Sequence, residues 1–223
     1  FRSISAYPGV LQVYSGVFRV YSVFIPQLRE FIFGREEITH ELADIFVALK
    51  LKSLPPFRAK TISASALERL CDLGQDLTFQ GLESVSMLQA KAIAKCADRV
   101  ELWLPSLPDD SVLKLMGQMG LKSLVINNLA NLTTVQAKLI AEFKGKSLEL
   151  GSVDSLNIEM VRLLAQSQVD KLGLGFKTLR PEQADVLSTH FSGVLALPSL
   201  EEISAESAMA LGKFRGGNIQ FRL

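Results

Sequence analysis

Apolar residues recur along the chain at an interval of about 24 residues. A second apolar residue follows each of them two positions later, and this alternation places both side chains on one face of a β-strand. The strand-like segments begin at Leu77, Leu102, Leu124, Leu148, Leu172, Leu195 and Ile219. Because the interval is so regular, the chain is predicted to repeat one small structural unit.

The pattern becomes helical about nine residues after a strand start. Ser86 and Thr133 are each followed three positions later by glutamine, which is the pattern of a helix-capping box. Asn157 and Ser204 occupy the same place in later segments, and Pro181 suits a first helical position. Apolar residues then recur at offsets of three and four, which predicts one buried helical face. Each unit is therefore predicted to be a short strand, a turn and a short helix.

Strands that are joined by helical crossovers must run parallel, with a right-handed connection. One such unit cannot bury both its strand face and its helix face, but neighbouring units can cover each other. We therefore expect Leu77, Leu102, Leu124 and Leu148 to lie on consecutive strands of one sheet.

The segment LKSLVINNLANL at 121–132 resembles the leucine-rich repeat consensus L-x-x-L-x-L-x-x-N/C-x-L. Leu121, Leu124 and Ile126 occupy its first three apolar positions, whereas Leu129 replaces the usual Asn or Cys. The chain also resembles a bacterial branch of this family with repeats of about 24 residues. The resemblance implies an α/β solenoid with a curved parallel sheet and short helices on its convex side.

This resemblance covers residues 77–223 and extends over 49–76, so we expect one continuous solenoid domain at 49–223. Residues 31–48 fit a shortened repeat, and residues 1–30 fit none. Because the end units of a repeat array need a different outer face, residues 1–48 are predicted to form an N-terminal cap or degenerate repeats.

Composition and charge exclude several classes of partner. With 24 basic and 23 acidic residues, the net charge of +1 gives no electrostatic reason to expect nucleic acid or an anionic membrane. The most apolar run, Val10 to Ile25, contains Arg19 and is shorter than the roughly 20 residues of a spanning helix, so no membrane insertion is expected. Cys71 and Cys96 are too few for a disulfide scaffold and are interpreted as small apolar core residues.

The residue types that carry catalysis are sparse. His40 and His190 each lie in a predicted helix without a second metal-ligand residue at a suitable spacing, so no metal site is expected. The GKS at 145–147 lacks the upstream glycine of a phosphate loop and precedes a strand rather than a helix. A Ser-His-Asp triad is not excluded by spacing, but no serine lies in an elbow motif. We therefore expect no enzyme activity and no cofactor.

The remaining candidate is the open face of the predicted sheet, formed by the residues that alternate with the core positions. Trp103, the only tryptophan, is expected there beside Val125 as a binding hot spot. The candidate patch consists of Glu101, Trp103, Pro105, Val125, Asn127 and Glu149. The alternative is that this patch covers a neighbouring domain or has no role. The Gly and Ala residues at 151, 173, 175 and 196 leave a flatter strip, which would suit a flat partner or a sugar; the alternative is that this strip has no role.

Our sequence-based hypothesis is a non-catalytic scaffold that recognises another protein through the concave face of the sheet. One alternative is the targeting or substrate-recognition segment of a larger secreted bacterial effector enzyme, which the length of the full gene product would distinguish. A second alternative is a carbohydrate-binding surface domain.

Overall fold

The computed structural model of the chain describes residues 36–49, 53–127, 129 and 132–221. Short strands and short helices alternate along these residues. The strands are β1 (Glu37–Ile38), β2 (Thr61–Ile62), β3 (Leu77–Phe79), β4 (Val100–Leu104), β5 (Ser123–Ile126), β6 (Ser147–Leu150), β7 (Lys171–Leu174), β8 (Thr178–Leu179), β9 (Val194–Leu197), β10 (Glu202–Ile203) and β11 (Ile219–Phe221). The α-helices are α1 (His40–Leu49), α2 (Ala64–Cys71), α3 (Met87–Ile93), α4 (Asp110–Gln118), α5 (Thr134–Ala141), α6 (Ile158–Ala165), α7 (Pro181–His190) and α8 (Ala205–Leu211), and a 3₁₀ helix at Ala94–Arg99 follows α3.

Seven of these strands form one parallel sheet in the order β11-β9-β7-β6-β5-β4-β3. Along it, equivalent apolar residues are paired in register: Leu102, Leu124, Leu148, Leu172, Leu195 and Ile219. The predicted parallel α/β arrangement of consecutive strands is thereby confirmed. Two shorter parallel pairs, β1 with β2 and β8 with β10, also join segments 24 residues apart, as the pairs Glu37–Thr61 and Glu202–Thr178 show.

The register differs from the prediction at β3. Leu77 lies on the strand beside Leu102, as expected, but it pairs with Val100, and Phe79 pairs with Leu102. The reason is that β4 is five residues long and begins with the buried Val100, which adds one inward position before Leu102. The sequence spacing already contained a hint, because Phe79 lies 23 residues before Leu102 whereas Leu77 lies 25 before it.

Side-chain caps fix where the helices begin. The Ser86 and Thr133 hydroxyls accept hydrogen bonds from the Gln89 and Gln136 backbone N–H groups at 3.3 and 3.2 Å, and both capping boxes are complete. Asn157 and Ser204 cap α6 and α8 in the same way, and Pro181 opens α7. These caps satisfy backbone donors that a helix leaves free at its start, and they confirm the helix starts predicted from the sequence.

The core lies between the inward face of the sheet and the helices. Each unit contributes two inward strand residues and an apolar helix stripe, and all of them are buried in the central units. Cys71 and Cys96 are buried there as predicted, but they form a disulfide across a Cα–Cα distance of 5.5 Å. The prediction of two unpaired core cysteines is therefore wrong. The two residues lie 25 positions apart, one at the end of α2 and one in the 3₁₀ helix of the next unit, and this brings them into contact.

Two sequence predictions concern the first part of the chain. Residues 1–35, including the apolar run from Val10 to Ile25, lie outside the described residues. The predicted boundary after residue 48 falls within the last turn of α1. Strand β1, before this boundary, pairs with β2, after it. The division into an N-terminal cap and a repeat array stays a prediction. In the parts of the chain that the structure describes, no helix combines the length and apolar character needed to cross a membrane.

Candidate functional site

The predicted patch lies on the face of the sheet that points away from the helices. Trp103, Val125 and Glu149 are paired in register on β4, β5 and β6, so they form one row across three adjacent strands. Neighbouring parallel strands are about 4.8 Å apart, and the row therefore spans about 10 Å. Period-2 alternation produces this row, because the residues before and after each of the three are buried on the opposite face.

The residues of this row differ in exposure. The Trp103 side chain is 39% exposed and is one of the few large apolar side chains at the surface of the described residues. Val125 is only 8% exposed, although it belongs to the same face. Val125 therefore supports the base of the patch and offers little surface to a partner, so Trp103 is the main apolar contact.

A group of polar side chains borders Trp103 on one side. The Lys122 Nζ lies 2.9 Å from Asp76 Oδ2 and 3.2 Å from Glu101 Oε1. The Thr78 hydroxyl donates a 3.5 Å hydrogen bond to the other Glu101 oxygen. Hydrogen bonds to Asp76 and Glu101 raise the pKa of the Lys122 ammonium above its ordinary value. Partly exposed ion pairs of this kind add little stability, but they hold the Glu101 carboxylate in one position.

A second ion pair includes Glu149, the residue of this row that lies two strands from Trp103. Lys171 Nζ donates to Glu149 Oε1 at 2.9 Å, and both side chains are partly exposed. Glu149 extends over the neighbouring strand at Gly173, where an added Cβ would lie 2.8 Å from Glu149 Cγ. The missing side chain at Gly173 thus provides the space in which Glu149 reaches Lys171.

The remaining two candidate residues follow the ends of β4 and β5. Pro105 and Asn127 are both exposed, and the Asn127 backbone N–H donates to the Leu104 carbonyl at 2.9 Å. Gly151 follows β6 at the same level, and an added Cβ there would lie 2.5 Å from the Asn127 carbonyl oxygen. The structure thus brings all six predicted residues onto three adjacent strands and the turns that follow them.

Sequence reasoning missed the partners of the acidic residues in this patch. Thr78 and Lys171 alternate with buried residues of β3 and β7 and so belong to the outward face, but their bonds to Glu101 and Glu149 were not predicted. Lys122 was not considered for the site, although it lies just before β5 and 21 positions after Glu101. Neither lysine lies directly opposite its acid, because Glu101 is paired with Ser123 and Glu149 with Gly173, so the strand register alone did not indicate these contacts.

The two histidines lie on helices and not on the open face of the sheet. His40 Nε2 lies 3.5 Å from Asp44 on the exposed first turn of α1, and His190 is exposed at the end of α7. Within residues 36–49, 53–127, 129 and 132–221, no cluster of three or more histidine, cysteine or acidic residues could hold a metal ion. The candidate patch thus combines one exposed aromatic side chain, Trp103, with two ion-paired glutamates, Glu101 and Glu149.

Comparison with protein-family models, with curated proteins and with solved structures finds no match for this chain.

Proposed function

We propose that this protein is a leucine-rich-repeat-like solenoid that recognises another protein through the open face of its sheet. The in-register pairing of Leu102, Leu124, Leu148, Leu172, Leu195 and Ile219 supports the solenoid, because stacked equal units produce such a ladder. The sequence resemblance described above supports the same family. In this proposal the helices lie on the convex side, and the open face is concave.

The exposed Trp103 is the observation that carries the proposed binding role. Tryptophan is enriched among the residues that dominate binding energy, and such residues lie inside a ring of polar contacts that exclude water. Polar groups lie near Trp103 along its own strand and across the sheet: Glu101, two residues before it, is held by Lys122, and Glu149, two strands away in the same row, is held by Lys171.

These charges also indicate what the partner has to provide. Because Glu101 and Glu149 already have basic partners within the chain, a binding protein need not supply lysine or arginine opposite them. It needs an apolar pocket for the indole ring and polar groups that tolerate a mixed-charge rim. Such a surface is preorganised, since the side chains around Trp103 are already held by hydrogen bonds.

Replacing Trp103 by alanine is expected to weaken the binding of the captured protein partner by more than about 1 kcal/mol, which corresponds to a Kd more than about fivefold higher. The wild-type chain is used to capture binding proteins, and the affinity of a purified partner is then measured by calorimetry with each variant. The matched control is Leu88→Ala, which removes an even more exposed apolar side chain from α3, away from the open face. Equal affinity for wild type and Trp103→Ala would remove the open face from the binding site.

The same variants address the alternative of a carbohydrate ligand. Among the described residues of the open face, Trp103 is the only aromatic side chain, so the surface favours a protein over a sugar. If the wild-type chain binds a glycan in a panel and the Trp103→Ala variant does not, the carbohydrate alternative would be favoured over a protein partner. The role as a targeting segment of a larger effector enzyme stays a prediction.

A further inference from the structure

The disulfide lies shortly before the two acidic residues that hold the Lys122 ammonium. Cys71 is five residues before Asp76, and Cys96 is five residues before Glu101. Both acids contact the Lys122 Nζ, at 2.9 and 3.2 Å, and the three residues form one ion group (the Lys122 group). The bond between the cysteines therefore joins two loops, and each loop leads to a carboxylate of the same group.

The lysine of this group is tied to one of these loops through its backbone as well. The Lys122 N–H donates to the Ala97 carbonyl at 3.1 Å, and Ala97 is the residue after Cys96. The same carbonyl accepts the Val100 N–H, where the 3₁₀ helix ends and β4 begins. All three members of the Lys122 group thus depend on where the disulfide holds this segment.

The backbone of the segment that carries Cys96 is irregular. Residues 94–99 form a 3₁₀ helix, whose hydrogen bonds have poorer geometry than those of an α-helix. Cys96 has φ −140° and ψ 29°, so the helical backbone is interrupted at the bonded residue itself. Short irregular segments open at a lower free energy than the core elements around them. The disulfide is the covalent restraint that keeps this segment against Cys71, the last residue of α2.

We propose that the Cys71–Cys96 disulfide is a redox-sensitive device that controls the surface around Trp103; this regulation rests on the binding function proposed above. In the oxidised chain the bond holds the two loops together, and the Lys122 group fixes the start of β4. In the reduced chain two thiols need more room than the bonded sulfur atoms, so the loops move apart in the close-packed core. The Lys122 ammonium then loses its place between the two carboxylates. Trp103, two residues after Glu101, consequently loses its fixed surroundings.

The reduction requires a dithiol, and it proceeds in two exchange steps. A thiolate of the dithiol attacks one sulfur atom, the bond between Cys71 and Cys96 breaks, and the released cysteine takes up a proton. The second thiol of the reagent then displaces the cysteine held in the mixed disulfide, which also takes up a proton. The protein gains two electrons and two protons as two thiols, and the dithiol becomes a disulfide.

Burial of the bond decides how the device responds. Cys71 is 7% exposed and Cys96 only 1%. A dithiol therefore reaches the sulfur atoms only while the 3₁₀ segment is open, because thiol–disulfide exchange depends on access. The device consequently responds to a sustained change of redox conditions and not to a brief one.

The first test is hydrogen exchange of the 223-residue chain, followed by NMR before and after reduction with dithiothreitol. The Lys122 N–H should exchange about tenfold faster or more in the reduced chain, because its bond to Ala97 opens. The matched control is the Asp170 N–H, which donates to the Lys146 carbonyl at 2.9 Å in a unit without cysteine. A general loss of stability accelerates both amides, whereas loosening of the loops accelerates Lys122 more. Equal changes at both amides would overturn the proposal.

Trp103 provides a second readout, since it is the only tryptophan of the chain. Quenching of its fluorescence by acrylamide should increase when the wild-type chain is reduced. The variant Cys71→Ala/Cys96→Ala should not respond to dithiothreitol. Leu187→Ala removes a fully buried side chain from α7, far along the sheet from β4, and should keep the quenching of the oxidised wild type although it lowers stability. Quenching of Trp103 that is the same before and after reduction would contradict the coupling.

The third test connects the device to partner binding. The partner captured by the wild-type chain should bind the reduced chain about fivefold more weakly or worse. Lys122→Met removes the charge and should cause a similar loss in the oxidised chain, whereas Lys144→Met, at an exposed lysine of the next loop, should not. If Trp103→Ala weakens binding and reduction does not, the proposed function stands and the redox proposal is wrong. If Trp103→Ala has no effect but the Lys122 N–H responds to reduction, the disulfide controls this surface and only the proposed binding role is wrong.

Discussion

Replacing Leu148 by alanine should lower the free energy of unfolding by about 2 to 5 kcal/mol. Leu148 is fully buried at the centre of the sheet, between Leu124 on one neighbouring strand and Leu172 on the other. Both neighbours are held by backbone hydrogen bonds, so the structure cannot collapse into the space that the lost atoms leave. A cavity remains, and its cost adds to the lost burial of the side chain.

Urea denaturation followed by circular dichroism measures this loss. The control is Leu88→Ala, which removes the same atoms from an exposed position on α3 and should change the unfolding free energy by less than about 0.5 kcal/mol. A loss for Leu148→Ala no larger than that for Leu88→Ala would mean that Leu148 is not a core residue of the sheet.

Removing the disulfide is the second change with a large expected effect. The double variant Cys71→Ala/Cys96→Ala should have a free energy of unfolding about 3 kcal/mol lower than that of wild type. The reason is that the bond closes a loop of 25 residues in the unfolded chain. Alanine is preferred to serine here, since both positions are buried and a hydroxyl would need a hydrogen-bond partner.

Reduction provides the control for this prediction. A reducing agent should lower the stability of the wild-type chain by a similar amount and leave the double variant unaffected. Thiol titration of the unfolded, unreduced protein should find no free thiol, since both cysteines of the chain are in the bond. Two titratable thiols, or equal stability of wild type and double variant, would contradict the pairing of Cys71 with Cys96.

Local patterns were enough to predict most of the fold. The starts of the strands and the helix caps depend on residues within a few positions of each other, and Ser86, Thr133 and Asn157 act as predicted. The register at β3 was not predicted correctly because β4 begins with an additional inward residue, Val100, before Leu102. Contacts between units were also not predicted, as the bond between Cys71 and Cys96 illustrates.

The sequence predicted where the candidate site lies, but not the exposure or the contacts of its side chains. Alternation along β4 and β5 placed Trp103 and Val125 on the outward face, but their different exposures depend on how the surrounding side chains pack. The ion pairs of Glu101 and Glu149 depend on side-chain conformations that no local pattern encodes.

The in-register pairing of equivalent residues on neighbouring parallel strands is the central claim, and backbone nuclear Overhauser effects test it most directly. In the native chain they should connect residues 123–126 with 147–150, and residues 147–150 with 171–174, with Leu124 opposite Leu148 and Leu148 opposite Leu172. Contacts that place residues 147–150 beside any other segments, or in an antiparallel arrangement, would contradict the account.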